Sequence, residues 1–214
     1  MKNYASVFLI LIFFNGATLL GYQKTIQYTD YSYEQPIKTV KIYPEGIGIE
    51  NSMAPAVTRL NDAKSLVLEF DDLREDADYY YVRFVHCNSD WLPSDYRDNM
   101  IVQGYNEFEI ENFEFSTESK TKYVHYRYTF PRFKISGNFL AIVYRDQNKD
   151  DIVLTRRFMV DSGQANVGAR IDRSTIIKDR RTHQRIDVNM NFSGLTSPDP
   201  RKDFKIVVRQ NQRW

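Results

Sequence analysis

Val124-His125-Tyr126-Arg127-Tyr128-Thr129-Phe130 decides the fold of this 214-residue chain. Val124, Tyr126, Tyr128 and Phe130 take every second position, and His125, Arg127 and Thr129 fill the places between. A period of two puts the apolar set on one face of a β-strand and the polar set on the other. Ile186, Val188, Met190 and Phe192 alternate in the same way with Asp187, Asn189 and Asn191. Leu66, Leu68 and Phe70 do so over a shorter run, opposite Ser65 and Glu69. The run from Phe139 to Tyr144 is apolar at every position, which predicts a central strand covered on both faces. Beyond the N-terminal segment, no apolar repeat of 3.6 residues persists over three turns. The chain reads as all-β.

Outward from these strands, the connections are short. Tyr43-Pro44-Glu45-Gly46 carries proline and glycine where a type I turn favours them. Asp71-Asp72-Leu73-Arg74-Glu75-Asp76, Pro131, Ser136-Gly137-Asn138 and Gln147-Asn148-Lys149-Asp150 mark further connections. Many short strands at this rhythm predict an antiparallel β-sandwich of immunoglobulin or fibronectin character. Arg156-Arg157 interrupts the alternation from Ile152 to Val160, predicting a β-bulge or an edge position there. The expected order is a secretory signal over 1–21, an exposed arm over 22–36 and a first sandwich over 37–160. A small polar linker over 161–166 follows. An incomplete second β domain then fills 167–214, with strands near 167–171, 185–192 and 204–209.

The signal is read from one lysine, Lys2, followed by the apolar run Val7-Phe8-Leu9-Ile10-Leu11-Ile12-Phe13-Phe14 and the small residues Ala17 and Gly21. The run is too short to span a membrane, which takes about 20 apolar residues. Export is therefore expected, with no membrane span. Cys87 is the only cysteine, so no intrachain disulfide can form and stability must come from apolar burial. Lysine and arginine total 29 against 28 acidic residues. That balance offers no basic field for nucleic acid.

Catalytic and metal-binding patterns are not found. His86, His125 and His183 are the only histidines, and His86 neighbours Cys87 on what would be the opposite face of one strand. No Gly-x-Ser-x-Gly elbow, phosphate loop or His-Glu-x-x-His helix occurs. Asp71, Asp72, Glu75, Asp76 and Asp78 crowd one connection, and Asp146 to Asp151 starts like a calcium loop but has Asp151 at the glycine position. Both read as solvated hairpin connections, and no catalytic residue, metal ligand or cofactor is assigned. Trp91 reads as packing over the sandwich end, or as an exposed anchor beside Tyr96. In Tyr79-Tyr80-Tyr81, Tyr80 is expected inward with Val82 and Phe84, and Tyr79 and Tyr81 outward. Trp91, Tyr96, Tyr79 and Tyr81 are thus the candidate partner contacts.

Val85-His86-Cys87-Asn88-Ser89-Asp90-Trp91-Leu92-Pro93-Ser94-Asp95 is followed by His125-Tyr126-Arg127-Tyr128-Thr129-Phe130-Pro131, Ser136-Gly137-Asn138-Phe139 and Leu154-Thr155-Arg156-Arg157-Phe158-Met159-Val160. In this order and spacing they resemble the first domain of the type IX secretion system plug protein family of Bacteroidota, once filed as a domain of unknown function. The resemblance runs from about Tyr28 to the last residue, through Ile206-Val207-Val208-Arg209-Gln210-Asn211. It implies a non-enzymatic periplasmic subunit that closes the periplasmic mouth of the outer-membrane translocon barrel. It does not carry contact residues over, because the shared motifs fall mostly on expected core strands. A periplasmic or surface carbohydrate-binding sandwich, using Trp91, Tyr79 and Tyr81, is the other reading open to the sequence.

Overall fold

The computed structural model describes residues 24–46, 52–191 and 196–209. The predicted signal over 1–21 lies outside them, as does Phe192 of the last alternating run. Eight strands build two facing sheets: β2 (Ile37–Pro44), β4 (Leu66–Asp72), β5 (Tyr80–Cys87), β6 (Phe108–Glu109), β7 (Asn112–Phe115), β8 (Val124–Thr129), β9 (Gly137–Arg145) and β10 (Ile152–Asp161). Two shorter strands, β1 (Tyr31–Ser32) and β3 (Val57–Arg59), flank β10, and β11 (Asn166–Arg173) and β12 (Gln184–Asn191) follow. The helical elements described are α1 (Asp98–Ile101), α2 (Pro200–Asp203) and a 3₁₀ turn at Ile177–Asp179.

One sheet runs β2-β4-β8-β7 and the other β10-β9-β5-β6, with β1 antiparallel and β3 parallel to β10. Lettered in chain order from β2 and leaving out β3 and β6, these are the ABED and GFC arrangements of an immunoglobulin-type sandwich, with β6 added beside C. The alternating face of β8 is buried as its pattern requires, with Val124 and Tyr126 facing the opposite sheet. Leu66, Leu68 and Phe70 meet Val82, Phe84, Phe139, Ala141, Val143 and Phe158 across the core. Phe84 stands edge-on to Phe130 and Phe133 at 4.8 and 5.2 Å, and Phe130 to Phe158 at 4.9 Å. Each such ring contributes roughly 2–3 kcal/mol by leaving water.

β9 is buried along both faces, as its unbroken apolar run predicts. Leu140 and Ile142 point away from the main core and pack with Cys87, Trp91 and Ile152 in a second cluster. The arm covers that cluster, which corrects the expectation of an exposed arm. Ile26, Tyr28 and Tyr33 lie against it, and β1 pairs with β10. An outward apolar face on a central strand needs a cover, and the arm supplies it.

The two arginines of β10 act on the same contact. Arg156 sits opposite Ala141 and Arg157 opposite Leu140 in unbroken register, and the irregularity falls earlier, between Ile152 and Leu154. The predicted bulge is thus displaced toward the start of the strand. Arg156 donates to the Tyr31 carbonyl at 3.0 Å, and Arg157 to the Tyr28 carbonyl at 2.8 Å. The predicted turn at 43–46 also shifts, since Tyr43 and Pro44 still pair with Val67 and Leu66. Proline fits there because β2 lies at a sheet edge.

β11 and β12 form a two-stranded hairpin in register. Val167, Ala169 and Ile171 face Met190, Val188 and Ile186 across it. The run 204–209, read as a strand from sequence, follows α2 without entering a strand.

Candidate interaction surface

The four aromatic candidates lie at opposite ends of β5. Tyr79 is 68% exposed and directly precedes the strand. Tyr81 points outward, stacks on Tyr144 at 6.1 Å and accepts a hydrogen bond from Gln147 at 3.1 Å. Trp91 and Tyr96 follow the other end. At about 3.3 Å per residue, β5 separates the pairs by roughly 20 Å. They do not form one aromatic rim.

Trp91 is nearly closed off. Asn88 builds its turn: the side-chain oxygen accepts from the Asp90 and Leu92 N–H groups at 2.9 and 3.0 Å, and the Asn88 carbonyl accepts from the Trp91 N–H at 3.1 Å. The turn holds Trp91 at φ 62°, a left-handed backbone that costs a non-glycine residue about 1 kcal/mol or more. The ring then lies under the Arg157 guanidinium, 4.4 Å from its centroid, at 8% exposure. Below it, burial pushes the Cys87 thiol up to about 11 although Arg157 pulls the other way. Tyr96 stands edge-on to His86 at 4.8 Å. Burial lowers the His86 imidazole, which bonds Ser94 Oγ at 2.7 Å.

Ser89, Trp91, Asn138, Met159, Lys205 and Val207 line an open cleft. The segment after α2 reaches it through Lys205, 2.6 Å from the Asp90 carboxylate. The face of Trp91 that a sugar would need is therefore shared with Arg157 and this segment.

The acidic connection between β4 and β5 has a structural role that sequence did not disclose. Asp72 is fully buried, not solvated. It accepts from Arg74 Nε at 2.8 Å and from the Tyr80 hydroxyl at 2.6 Å. Arg145, at the end of β9, donates to Asp78, Asp151 and Glu34 at 2.9, 2.8 and 2.7 Å. Lys24 closes the network on Glu34 and Asp151 at 2.8 and 2.6 Å. Burial pushes the Glu34 carboxyl up, but hydrogen bonds from Arg145 and Lys24 outweigh it and hold the group down at about 2. The calcium-like loop at 146–151 is a hairpin connection, with Asp146 and Gln147 at φ 52° and 57°. Among the described residues, no group of three or more His, Cys, Asp or Glu side chains is arranged to hold a metal ion. Nor is any helix among them long and apolar enough to cross a membrane.

A second charged feature was legible but passed over. Residues 105–118 contain Glu107, Glu109, Glu111, Glu114 and Glu118 and no lysine or arginine. The structure lays this stretch along one edge of the sandwich, through β6 and β7.

Comparison with known proteins bears on what such a surface serves. No curated protein matches the chain. A crystal structure of a hypothetical protein from Parabacteroides merdae is similar, with a TM-score of 0.74 at 26% identity. The match covers 84% of this chain and 45% of that one, so the chain spans less than half the length of its structural relative. The family described as type 9 secretion system plug protein 1st domain matches residues 37–162, from the first residue of β2 to just past the end of β10. Through that sandwich, the chain belongs to the first-domain family of the type 9 secretion system plug protein.

Proposed function

We propose that this protein is a non-enzymatic periplasmic subunit that plugs the periplasmic opening of the type IX outer-membrane translocon. The family match over the whole sandwich is the observation that carries this reading. The physical construction is compatible with it. A body that blocks a wide pore must resist deformation, and here two apolar clusters and a charged network fasten the arm, β4, β5, β9 and β10 together. Docking on the barrel is reversible in this scheme, and passing cargo or another translocon component displaces the plug. The hairpin β11–β12 is read as the start of a second β domain, joined through the linker that follows β10.

The test is affinity purification of the full-length protein from detergent-solubilised envelopes of its native host. Recovery of a very large outer-membrane barrel at near-stoichiometric amount is expected. Retention on glycan columns, with no barrel recovered, would replace the plug reading with a carbohydrate-binding one.

A further inference from the structure

β7 is an outer strand of its sheet, paired with β8 alone among the described residues. Alternate residues of an edge strand direct N–H and C=O groups away from the sheet, ready for another strand. Phe113 and Phe115 lie opposite Tyr126 and Val124, so they share the core-side face, yet they are 41% and 57% exposed. Phe113 packs on Tyr126 at 5.7 Å and Phe115 on Phe113 at 5.8 Å. β6, on the neighbouring edge, has two residues and leaves these rings partly uncovered. Glu114 points to the opposite face, and Glu109, Glu111 and Glu118 flank the strand. All four are exposed and make no ion pair among the described residues.

We propose that the free edge of β7 receives an extended segment of a partner polypeptide in which basic and apolar side chains alternate, added to the sheet as a further strand. Backbone hydrogen bonds supply the attachment, as in other strand-addition complexes. The partner's apolar side chains extend the flank begun by Phe113 and Phe115, and its lysines or arginines face Glu114 and the flanking glutamates. Charge selects this occupant over a second copy of the chain. In a homotypic β7–β7 pair, glutamates would crowd glutamates, and like charges across strands are unfavourable. A fixed acidic rim also makes the strand unattractive to neutral edges while it waits.

The inference stands apart from the plug reading and is tested without a translocon. A synthetic peptide of alternating lysine and valine is titrated into the isotopically labelled protein. A peptide of the same composition with its lysines grouped in a block is the control. The alternating peptide is expected to shift the amides of Asn112 to Phe115 and slow their hydrogen exchange at least tenfold, and the blocked peptide to do neither. A triple variant, Glu109→Lys, Glu111→Lys and Glu114→Lys, keeps the same melting curve because all three side chains are exposed, and binds roughly tenfold more weakly. Phe115→Ser, a second exposed position, weakens binding without reversing charge. Equal response to both peptides, shifts centred away from β7, or unchanged affinity in the triple variant would overturn the proposal. So would a dimer in solution that buries β7. If the peptide binds at β7 and no barrel is recovered, only the plug reading fails.

Discussion

Single side chains stand in for missing structure at several points, and Asn106 is the clearest. β6 covers only two residues of β5, so the backbone of Phe84, paired with β9 on one side, has no strand beside it on the other. Asn106 supplies both halves of the lost pair. Its oxygen accepts from the Phe84 N–H at 3.0 Å, and its nitrogen donates to the Phe84 carbonyl at 2.7 Å. Asn106→Ala strands two buried backbone groups, each worth about 1–3 kcal/mol when unsatisfied. We expect a loss of roughly 3 kcal/mol in urea unfolding, with the far-ultraviolet spectrum unchanged before the transition. A loss below about 0.5 kcal/mol, the ordinary effect of a surface change, would mean that water replaces the amide. Cys87 gives a second check. A buried thiol held up at about 11 carries almost no thiolate at neutral pH, so a disulfide reagent should label it only as fast as the protein opens. Labelling at the rate of a free thiol would contradict the cover provided by Trp91 and the arm. Neither role was readable in sequence, where Asn106 is one polar residue before an alternating run and Cys87 a small residue in an apolar one.

The elements themselves were largely readable, because burial on one or both faces writes itself into alternation. β8 declared its inward face through Val124 and Tyr126, and β9 declared two inward faces through the run from Phe139 to Tyr144. What alternation could not say was which segment covers the second face of β9. That partner is the arm, more than 100 residues earlier, and its polar composition suggested exposure. Its charged ends are the means of attachment. Glu34 holds Arg145 and Lys24, and its folded value of about 2 lies below the ordinary 4.5. A group depressed in the folded state adds stability above its unfolded value and loses it as pH falls through the window from 4.5 toward 2. The contribution at neutral pH is roughly 2–3 kcal/mol. Glu34→Gln should therefore destabilise the protein at pH 7 and make less difference at pH 2.5. Measured melting curves at the two values decide it: a gap between wild type and variant that stays constant with pH would show that Glu34 acts through packing alone. The candidate surface was less readable than the elements. Trp91, Tyr96, Tyr79 and Tyr81 are close to β5 in sequence, but a strand carries its ends apart, and only the fold shows that these candidates stand in two separate places.

For the molecule as a whole, the near equality of 29 basic and 28 acidic residues conceals an uneven layout, with glutamates gathered on the β6–β7 edge. Stability is uneven too. The sandwich has strands buried from both sides, whereas among the described residues β11 and β12 pair only with each other. Val167 and Ile171 remain more than half exposed, and Ile186 is 40% exposed, although all three belong to the apolar face of the hairpin. A two-stranded hairpin without a covering layer is marginal in water. In a polypeptide of residues 24–214, amides of β5 and β9 should exchange with deuterium only on global unfolding. Amides of β11 and β12 should exchange at least 100-fold faster, since local opening there costs little apolar burial. Peptide-resolved exchange at pH 7 measures both in one experiment. Equal protection in the two regions would mean that the hairpin is anchored by the sandwich, and that the linker after β10 does not separate two mechanical units. Fast exchange confined to the hairpin would instead make the sandwich the mechanically persistent part of this chain.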